Sequence, residues 1–313
     1  MEHELQTRPV IRLKPKGPAQ LVRFGAPWVF TDNLVLDRRS RALSPGQIVE
    51  LHDDQRNPLA VCAFNPNSKI GIRVLDRDMA ASIDRDWLAA KLRRALALRT
   101  DLFDAPFYRL IHAEADGMPG VIIDRFGDAA VIQPNAAWAE RLIGLLCQAV
   151  AEVTGVSVVL KNASGRARGL EGLDDVSEVL MGTMPEAPVQ VMMNGATYMA
   201  DLVGGQKTGL FFDQRPNHAF AAGLSKDARV LDVFSHVGGF GLAALAGGAQ
   251  SALCVDGSEA ALKLAEAGAV ASGFGARFST RRGDAFEVLT ALAEDGAKFD
   301  MVICDPPAFA PAK

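Results

Sequence analysis

Apolar and polar positions divide the chain into three stretches with different periods. Up to about residue 76 the segments IRLKP, QIVELHD, PLAVCAF and KIGIRVL alternate or run apolar, and Pro, Gly and Asn separate them. That is the pattern of short strands joined by turns, and it predicts a small β-rich domain over residues 1–76. Residues 84–100 change the period: Trp87, Leu88, Leu92, Ala95, Leu96 and Leu98 mostly share one helical face, with Lys91, Arg93 and Arg94 largely off it. YRLIHAEADGMPGVIIDRFGDAAVIQPN then reads as three strands with turns at Gly117 and Gly127. Residues 136–154 read as one helix with Trp138, Leu142, Leu145, Leu146 and Val150 inward, VSVVLKN as a strand, and the Gly-rich, charged GRARGLEGLDD as a loop. Residues 77–187 are therefore predicted as a small α+β middle domain. Beyond them, PVQVMMNGATYMADL predicts a hairpin turning at Asn194-Gly195, a pair suited to a type I′ turn. From Ala228 the segments alternate as βαβαβαβ up to FDMVICD. An α/β region with a parallel sheet and crossover helices is expected over residues 188–313.

Composition narrows the class. The chain has 313 residues, 49% hydrophobic and 22% charged, which is ordinary for two or three globular domains. No apolar run reaches the roughly 18 residues of a membrane span, and MEHELQTRPV has no apolar signal region, so a cytoplasmic protein is expected. Cys62, Cys147, Cys254 and Cys304 lie far apart and form no CxxC. They are expected to be reduced thiols packed as small buried hydrophobes, with no disulfide frame and no metal site. Net charge is −4, but residues 1–110 hold 18 Lys/Arg against 13 Asp/Glu while residues 111–313 hold 15 against 24. A basic front on an acidic body suits a front module that touches phosphate. Arg12, Lys14, Lys16 and Arg23 are the candidate contacts.

The sharpest chemical signal is VLDVFSHVGGFGLAAL, residues 230–245, where an apolar strand ends in Asp232 and a glycine-bearing loop opens a helix. Gly238 and Gly239 let the backbone approach a ligand at the carboxyl end of the strand. The GxGxxG that cradles a dinucleotide pyrophosphate is missing. A carboxylate at that strand end repels phosphate and suits the cationic aminoacyl end of S-adenosylmethionine (SAM). Asp256 ends the next strand, where an acid accepts from ribose hydroxyls. Gly283-Asp284-Ala285 follows the third strand; Asp284 can accept from an adenine amino group and Ala285 can offer its backbone N–H to a ring nitrogen. Asp305-Pro306-Pro307 with Phe309 follows the fourth strand, where proline fixes the backbone and polar atoms can meet a flat base. Gly205 to Arg215, GQKTGLFFDQR, precedes the sheet and is dense in donors and aromatics.

Taken together these stretches resemble the bacterial large-subunit rRNA cytosine-C5 methyltransferases that carry an N-terminal PUA-type domain, over nearly the whole chain. Gly25-Ala26-Pro27-Trp28-Val29-Phe30 is similar to that family's strand-entry motif. Glu114 to Gly120 with Asp124-Arg125-Phe126-Gly127 resembles its middle-domain signature. Gly205, Lys207, Thr208, Gly209 and Asp213-Gln214-Arg215 resemble its hairpin motif, and Asp305-Pro306-Pro307 its motif IV. The resemblance implies a class I, Rossmann-like SAM-binding domain, an RNA-binding front domain, a middle domain that helps form a substrate cleft, rRNA as partner, and room for a homodimer. It assigns Asp232, Ser235, Gly238, Gly239 and Phe240 to the methionine end of SAM and Asp256 to the ribose, with Phe234, Gly257 and Ser258 as further cofactor-binding residues. Asp284 and Ala285 fall to the adenine, and Lys207, Thr208, Gln214 and Arg215 would close the site. The family loop reads Ser-Tyr-Thr-Gly-Gly-Phe; here His236 and Val237 follow Ser235, and Val237 lacks the hydroxyl.

The resemblance also implies a full sheet in the order 3-2-1-4-5-7-6, of which strands 1 to 4 are present, so that MVIC forms an open apolar edge. Cytosine-C5 chemistry needs a cysteine nucleophile that adds to C6. In the family it lies beyond motif IV, past Lys313, and Cys304 inside its strand is a poor substitute. The reading is therefore of a C-terminally truncated, inactive form in which Asp305, Pro306 and Pro307 position the base. Two alternatives stay open: methylation of a base amino group, which an acid before Pro-Pro can also bind, and a catalytically dead RNA-binding protein.

Overall fold

The computed structural model describes residues 8–202 and 209–307; Gly205, Lys207, Thr208 and Phe309, all singled out from the sequence, lie outside them. The chain divides into two compact units, Met1–Met184 and Pro185–Lys313.

In the first unit β1 (Val10–Leu13), β2 (Trp28–Phe30), β3 (Leu34–Val35), β4 (Gln47–His52), β5 (Pro58–Phe64) and β6 (Ile70–Asp76) form one sheet in the order β2-β6-β5-β4-β1-β3. The unbroken apolar run of β5 is buried from Leu59 onward because it sits between β4 and β6 with both faces covered. Two short helices, α1 (Ala19–Arg23) and α2 (Arg38–Arg41), join these strands, and Asp37 and Ser40 close a capping box on the second.

The rest of this unit comprises α3 (Arg85–Leu102), β7 (Phe107–His112), β8 (Val121–Phe126), β9 (Ala129–Pro134), α4 (Ala137–Arg141), α5 (Ile143–Thr154), β10 (Val158–Lys161), α6 (Arg166–Glu171) and β11 (Glu178–Met181). Its sheet runs β11-β10-β9-β8-β7, and Leu88, Leu92, Ile111, Ile132, Trp138, Leu146 and Val150 share one core. Asp84 starts α3 by accepting from the Trp87 N–H at 3.0 Å, a cap whose loss costs about 1 kcal/mol.

Three sequence expectations for this region change. Leu98 is exposed, because it lies about 80° around the axis from Leu88 and outside the Leu88–Leu92–Ala95 stripe. The helix expected over 136–154 is two, broken at Leu142, whose φ of −103° and ψ of 15° leave the helical region. The segment expected as a loop contains α6, and two of its charges, Arg168 and Glu171, are inside rather than solvated, while Arg166, Asp174 and Asp175 stay exposed. Arg168 is 1% exposed and donates to the Pro134 carbonyl at 2.6 Å, Glu140 at 2.8 Å and the Asp174 carbonyl at 2.7 Å. Glu171 is 3% exposed and accepts from Asn65 at 3.0 Å, Ser68 at 2.8 Å and Arg73 at 3.0 Å, all on or beside the N-terminal sheet. Buried charges persist only when paired in this way.

The second unit opens with the hairpin β12 (Val189–Met193) and β13 (Ala196–Ala200). Asn194 and Gly195 have φ of 51° and 76°, as a type I′ turn requires. Then follow α7 (Arg215–Leu224), β14 (Arg229–Val233), α8 (Gly239–Ala246), β15 (Ser251–Asp256), α9 (Glu259–Ala271), β16 (Phe278–Arg282), α10 (Ala285–Glu294) and β17 (Met301–Cys304). The four strands after the hairpin are all parallel, in the order β16-β15-β14-β17. This is a Rossmann-like sheet, so every carboxyl end opens on one edge, where such sheets bind ligands. Among the described residues β17 pairs on one side only, and its alternate residues Val302 and Cys304 are exposed. That corrects the expectation of four buried cysteines: Cys62, Cys147 and Cys254 are buried and Cys304 is not.

Candidate functional site

The chain leaves β14 through a loop with an unusual backbone. Phe234, His236 and Gly238 have φ of 63°, 49° and 79°. Left-handed geometry at a non-glycine residue costs roughly 1–3 kcal/mol and persists only where its surroundings enforce it. Here the Ser235 N–H donates to the Val255 carbonyl at 3.0 Å, the His236 N–H to Asp256 Oδ2 at 2.8 Å, and the Gly238 N–H to the Ser235 carbonyl at 2.8 Å. The following glycines make room: a Cβ on Gly241 would lie 2.4 Å from Cys254 Sγ, and one on Gly239 2.7 Å from His218 Nε2. The loop is thus pressed between β15 and α7.

The strand-tip carboxylates all sit at the carboxyl edge. Asp232 pairs in register with Cys254, two residues before Asp256; Asp256 pairs with Arg282, two residues before Asp284. The three acids form a diagonal across neighbouring strands about 4.8 Å apart. Each also has a structural duty that the sequence alone does not assign. Asp232 is 1% exposed; its Oδ2 accepts from the Gly241 N–H at 2.9 Å, while Oδ1 has no hydrogen-bond partner among the described residues. Burial pushes its carboxyl up to about 7, opposed mainly by the Gly241 N–H. Asp256 accepts from His236 and, through Oδ1, from the Ser258 N–H at 2.8 Å, so it braces the loop and the turn into α9 together. Asp284 is exposed and caps α10, accepting from the Phe286 and Glu287 N–H groups at 2.9 and 3.3 Å.

The other candidates fall as follows. Ser235 is buried with no partner for Oγ among the described residues, Phe234 and Phe240 are half-buried, Gly257 and Ser258 are exposed, and Ala285 is buried at the head of α10. Gln214 accepts from Asn217 at 2.7 Å, and the Arg215 carbonyl accepts from Asn194 at 3.0 Å. Asp305, Pro306 and Pro307 are exposed at the end of β17, and the Asp305 N–H reaches the Val233 carbonyl at 3.4 Å. In the first unit Lys14 and Lys16 are exposed and Arg12 is half-buried on β1. Arg23 is exposed but ion-paired with Asp53 at 2.8 Å, so its charge is already answered.

Sequence reasoning missed the support behind the loop. His218 on α7 is 5% exposed and its ring meets Phe240 edge-on at 4.5 Å between centroids. Tyr198 on β13 is fully buried and donates its hydroxyl to the Gly239 carbonyl at 3.2 Å. A single histidine in a helix and a tyrosine in a hairpin carry no flag in one dimension; only the fold brings them beside the glycines.

Residues 11–77 match a family model described as a PUA-like domain, and residues 146–313 one described as an S-adenosylmethionine-dependent methyltransferase. The chain is 37% identical over 302 residues to a "Ribosomal RNA large subunit methyltransferase I" of Aliivibrio fischeri, covering 95% of this chain and 76% of the relative. It is 36% identical over 323 residues to a "Ribosomal RNA large subunit methyltransferase" of Deinococcus radiodurans, covering 99% and 78%. A solved chain from Streptococcus mutans described as a SAM-dependent methyltransferase superposes with a TM-score of 0.80 at 20% identity, covering 96% of this chain and 77% of that one, which shows the shared fold. Among the described residues no helix is long and apolar enough to cross a membrane.

Proposed function

This chain belongs to the S-adenosylmethionine-dependent methyltransferase family, and from that premise we propose that it binds SAM and large-subunit ribosomal RNA for methylation at C5 of a cytosine, a transfer that needs, besides the residues below, a cysteine that adds to C6. The observation that carries the cofactor half of this reading is the diagonal of carboxylates beside a strained glycine loop. The donor set fits SAM. A fully buried carboxylate with one oxygen unpartnered among the described residues is a costly feature, and the cationic aminoacyl end of SAM would offset it.

In this reading Asp232, Ser235, Gly238, Gly239 and Phe240, with Phe234 behind them, hold the methionine end. Asp256 with Gly257 and Ser258 accepts from the ribose, using carboxylate lone pairs left over from bracing the loop. Asp284 and the Ala285 N–H take the adenine edge. Gln214 and Arg215, with Lys207 and Thr208, close over the cofactor. Bound SAM supplies an electrophilic methyl group on sulfur; Asp305, Pro306 and Pro307, at the exposed end of β17, orient the flat base that receives it.

The rRNA half of the reading rests on the relatives, which are named for ribosomal RNA methylation, and on the PUA-like match. We assign residues 1–76 to RNA binding through Arg12, Lys14 and Lys16, with a smaller share for Arg23. Residues 77–187 form the middle module, residues 188–313 bind cofactor, and the setting is the cytoplasm. The test is methyl transfer from tritiated SAM to large-subunit rRNA lacking its own modifications, followed by nucleoside digestion. Label in 5-methylcytidine supports the proposal. Label on an exocyclic amine replaces the C5 assignment with amino-group methylation, and RNA binding without transfer or SAM affinity points to an RNA-binding protein.

A further inference from the structure

The cofactor loop is gripped from behind by two side chains that neither the relatives' names nor the sequence motifs single out. His218 comes from α7 and Tyr198 from β13, and both converge on Gly239. The imidazole lies so close that a Cβ on Gly239 would stand 2.7 Å from Nε2 and 2.8 Å from Cε1. The same residue's carbonyl accepts from the Tyr198 hydroxyl at 3.2 Å. The two gripping rings face each other, 6.4 Å apart and 17° from parallel, and the His218 ring also meets the Phe240 ring edge-on at 4.5 Å. A second imidazole–aromatic contact lies nearby: Phe211, just before α7, meets His236 of the loop at 5.0 Å. Residues 211–218 and residues 236–240 are therefore stitched twice, once with the imidazole on α7 and once with it on the loop.

We propose that His218 and Tyr198 are positioning residues for the cofactor, forming a clamp that fixes the Gly239–Phe240 peptide in its binding geometry. The proposal rests on the cofactor assignment above. The physical reason for a clamp is the backbone. A loop with alternating left-handed residues has several nearby conformations, and only part of its N–H set is tied to the sheet. Binding affinity falls by the fraction of molecules not in the competent state. An aromatic vise that admits only glycine at residue 239 excludes the alternatives sterically. His218 suits the role as a neutral ring: burial depresses its pKa to about 4, and Nδ1 has no partner among the described residues. It contributes shape and an aromatic edge and donates no charge. Its place on α7, three residues after Arg215, also ties the loop's geometry to the segment assigned to close over the cofactor.

The test is calorimetric binding of S-adenosylhomocysteine to the full chain, with thermal melting in parallel. Wild type, His218→Ala, His218→Gln and Tyr198→Phe are compared, with the double substitution His218→Ala/Tyr198→Phe. The expected result is roughly tenfold weaker binding for His218→Ala and a smaller loss for Tyr198→Phe. His218→Gln should recover part of the loss, because its amide can reach the Nε2 position. The double variant should lose less than the product of the single losses, since the two act on one peptide. Tyr198→Phe removes a single oxygen and keeps the ring, so it remains informative if His218→Ala does not fold. Lower melting temperatures with unchanged affinity in all variants would overturn the clamp and leave the cofactor assignment standing. No binding by wild type would overturn the cofactor assignment and the clamp with it.

Discussion

Replacing Asp232 with Asn separates electrostatic strain from geometry at the cofactor loop. The carboxyl is fully buried, and its pKa is pushed from 3.8 to about 7, chiefly by loss of solvation. In the unfolded chain it loses its proton near pH 4; in the folded chain it keeps it until near pH 7. Between those values the native state binds more protons than the unfolded state, so stability falls as pH rises across that window. The stabilising contribution is complete below pH 4 and gone above pH 7. At about 1.4 kcal/mol per pKa unit the full swing is about 4 kcal/mol. Asn keeps an acceptor for the Gly241 N–H, 2.9 Å from Oδ2 in the wild type, and never ionises. The variant should match or fall slightly below wild type at pH 4.5 and exceed it by up to about 4 kcal/mol at pH 8. Urea unfolding at the two pH values measures this. Circular dichroism is the proper probe, because Trp28, Trp87 and Trp138 all lie in the first unit. The variant should also bind SAM more weakly at pH 8, because it lacks the charge that meets the cationic end. A stability difference that is the same at pH 4.5 and pH 8 would refute the reasoning.

Three further perturbations test other parts of the structure. Gly241→Ala places a methyl 2.4 Å from Cys254 Sγ, and a melt should show destabilisation of about 1–3 kcal/mol, partly reversed by adding Cys254→Ala. Glu171→Ala removes the 3.0 Å partner of the half-buried Arg73 guanidinium, leaving it only Glu114 at 3.5 Å, and takes the carboxylate acceptor from buried Asn65 and Ser68. Chemical denaturation followed by tryptophan fluorescence should report a loss of about 3–5 kcal/mol in the first unit. Replacing Arg12, Lys14 and Lys16 together by Ala should flatten the dependence of RNA affinity on log salt by about 0.7–0.9 for each phosphate no longer neutralised. Arg23→Ala should change the slope less, because Asp53 already holds that guanidinium.

What could be read in one dimension was whatever depends on near neighbours in the chain. The alternation of apolar segments placed β14 to β17 and the helices between them, and Asn194-Gly195 placed the hairpin, because period and turn chemistry are local. The three strand-tip acids could be put on one edge for the same reason: parallel strands with crossover helices leave their carboxyl ends together. Tertiary structure decided what those acids do to the backbone. Asp232 reaches Gly241, and Asp256 reaches His236 twenty residues away, so two groups read only as ligand contacts also hold the loop in shape. It also reversed the reading of the charged segment around Arg168 and Glu171. Composition alone places Lys, Arg, Asp and Glu in water, and the partners that admit them to the interior come from residues up to 106 positions distant in sequence. Packing beside a glycine is decided in the same way. The empty space at Gly239 is legible as permission for close approach, but that His218 and Tyr198 are what approach it follows only when α7 and the hairpin have docked, since dispersion and hydrogen bonding act over a few ångströms in space and not along the sequence.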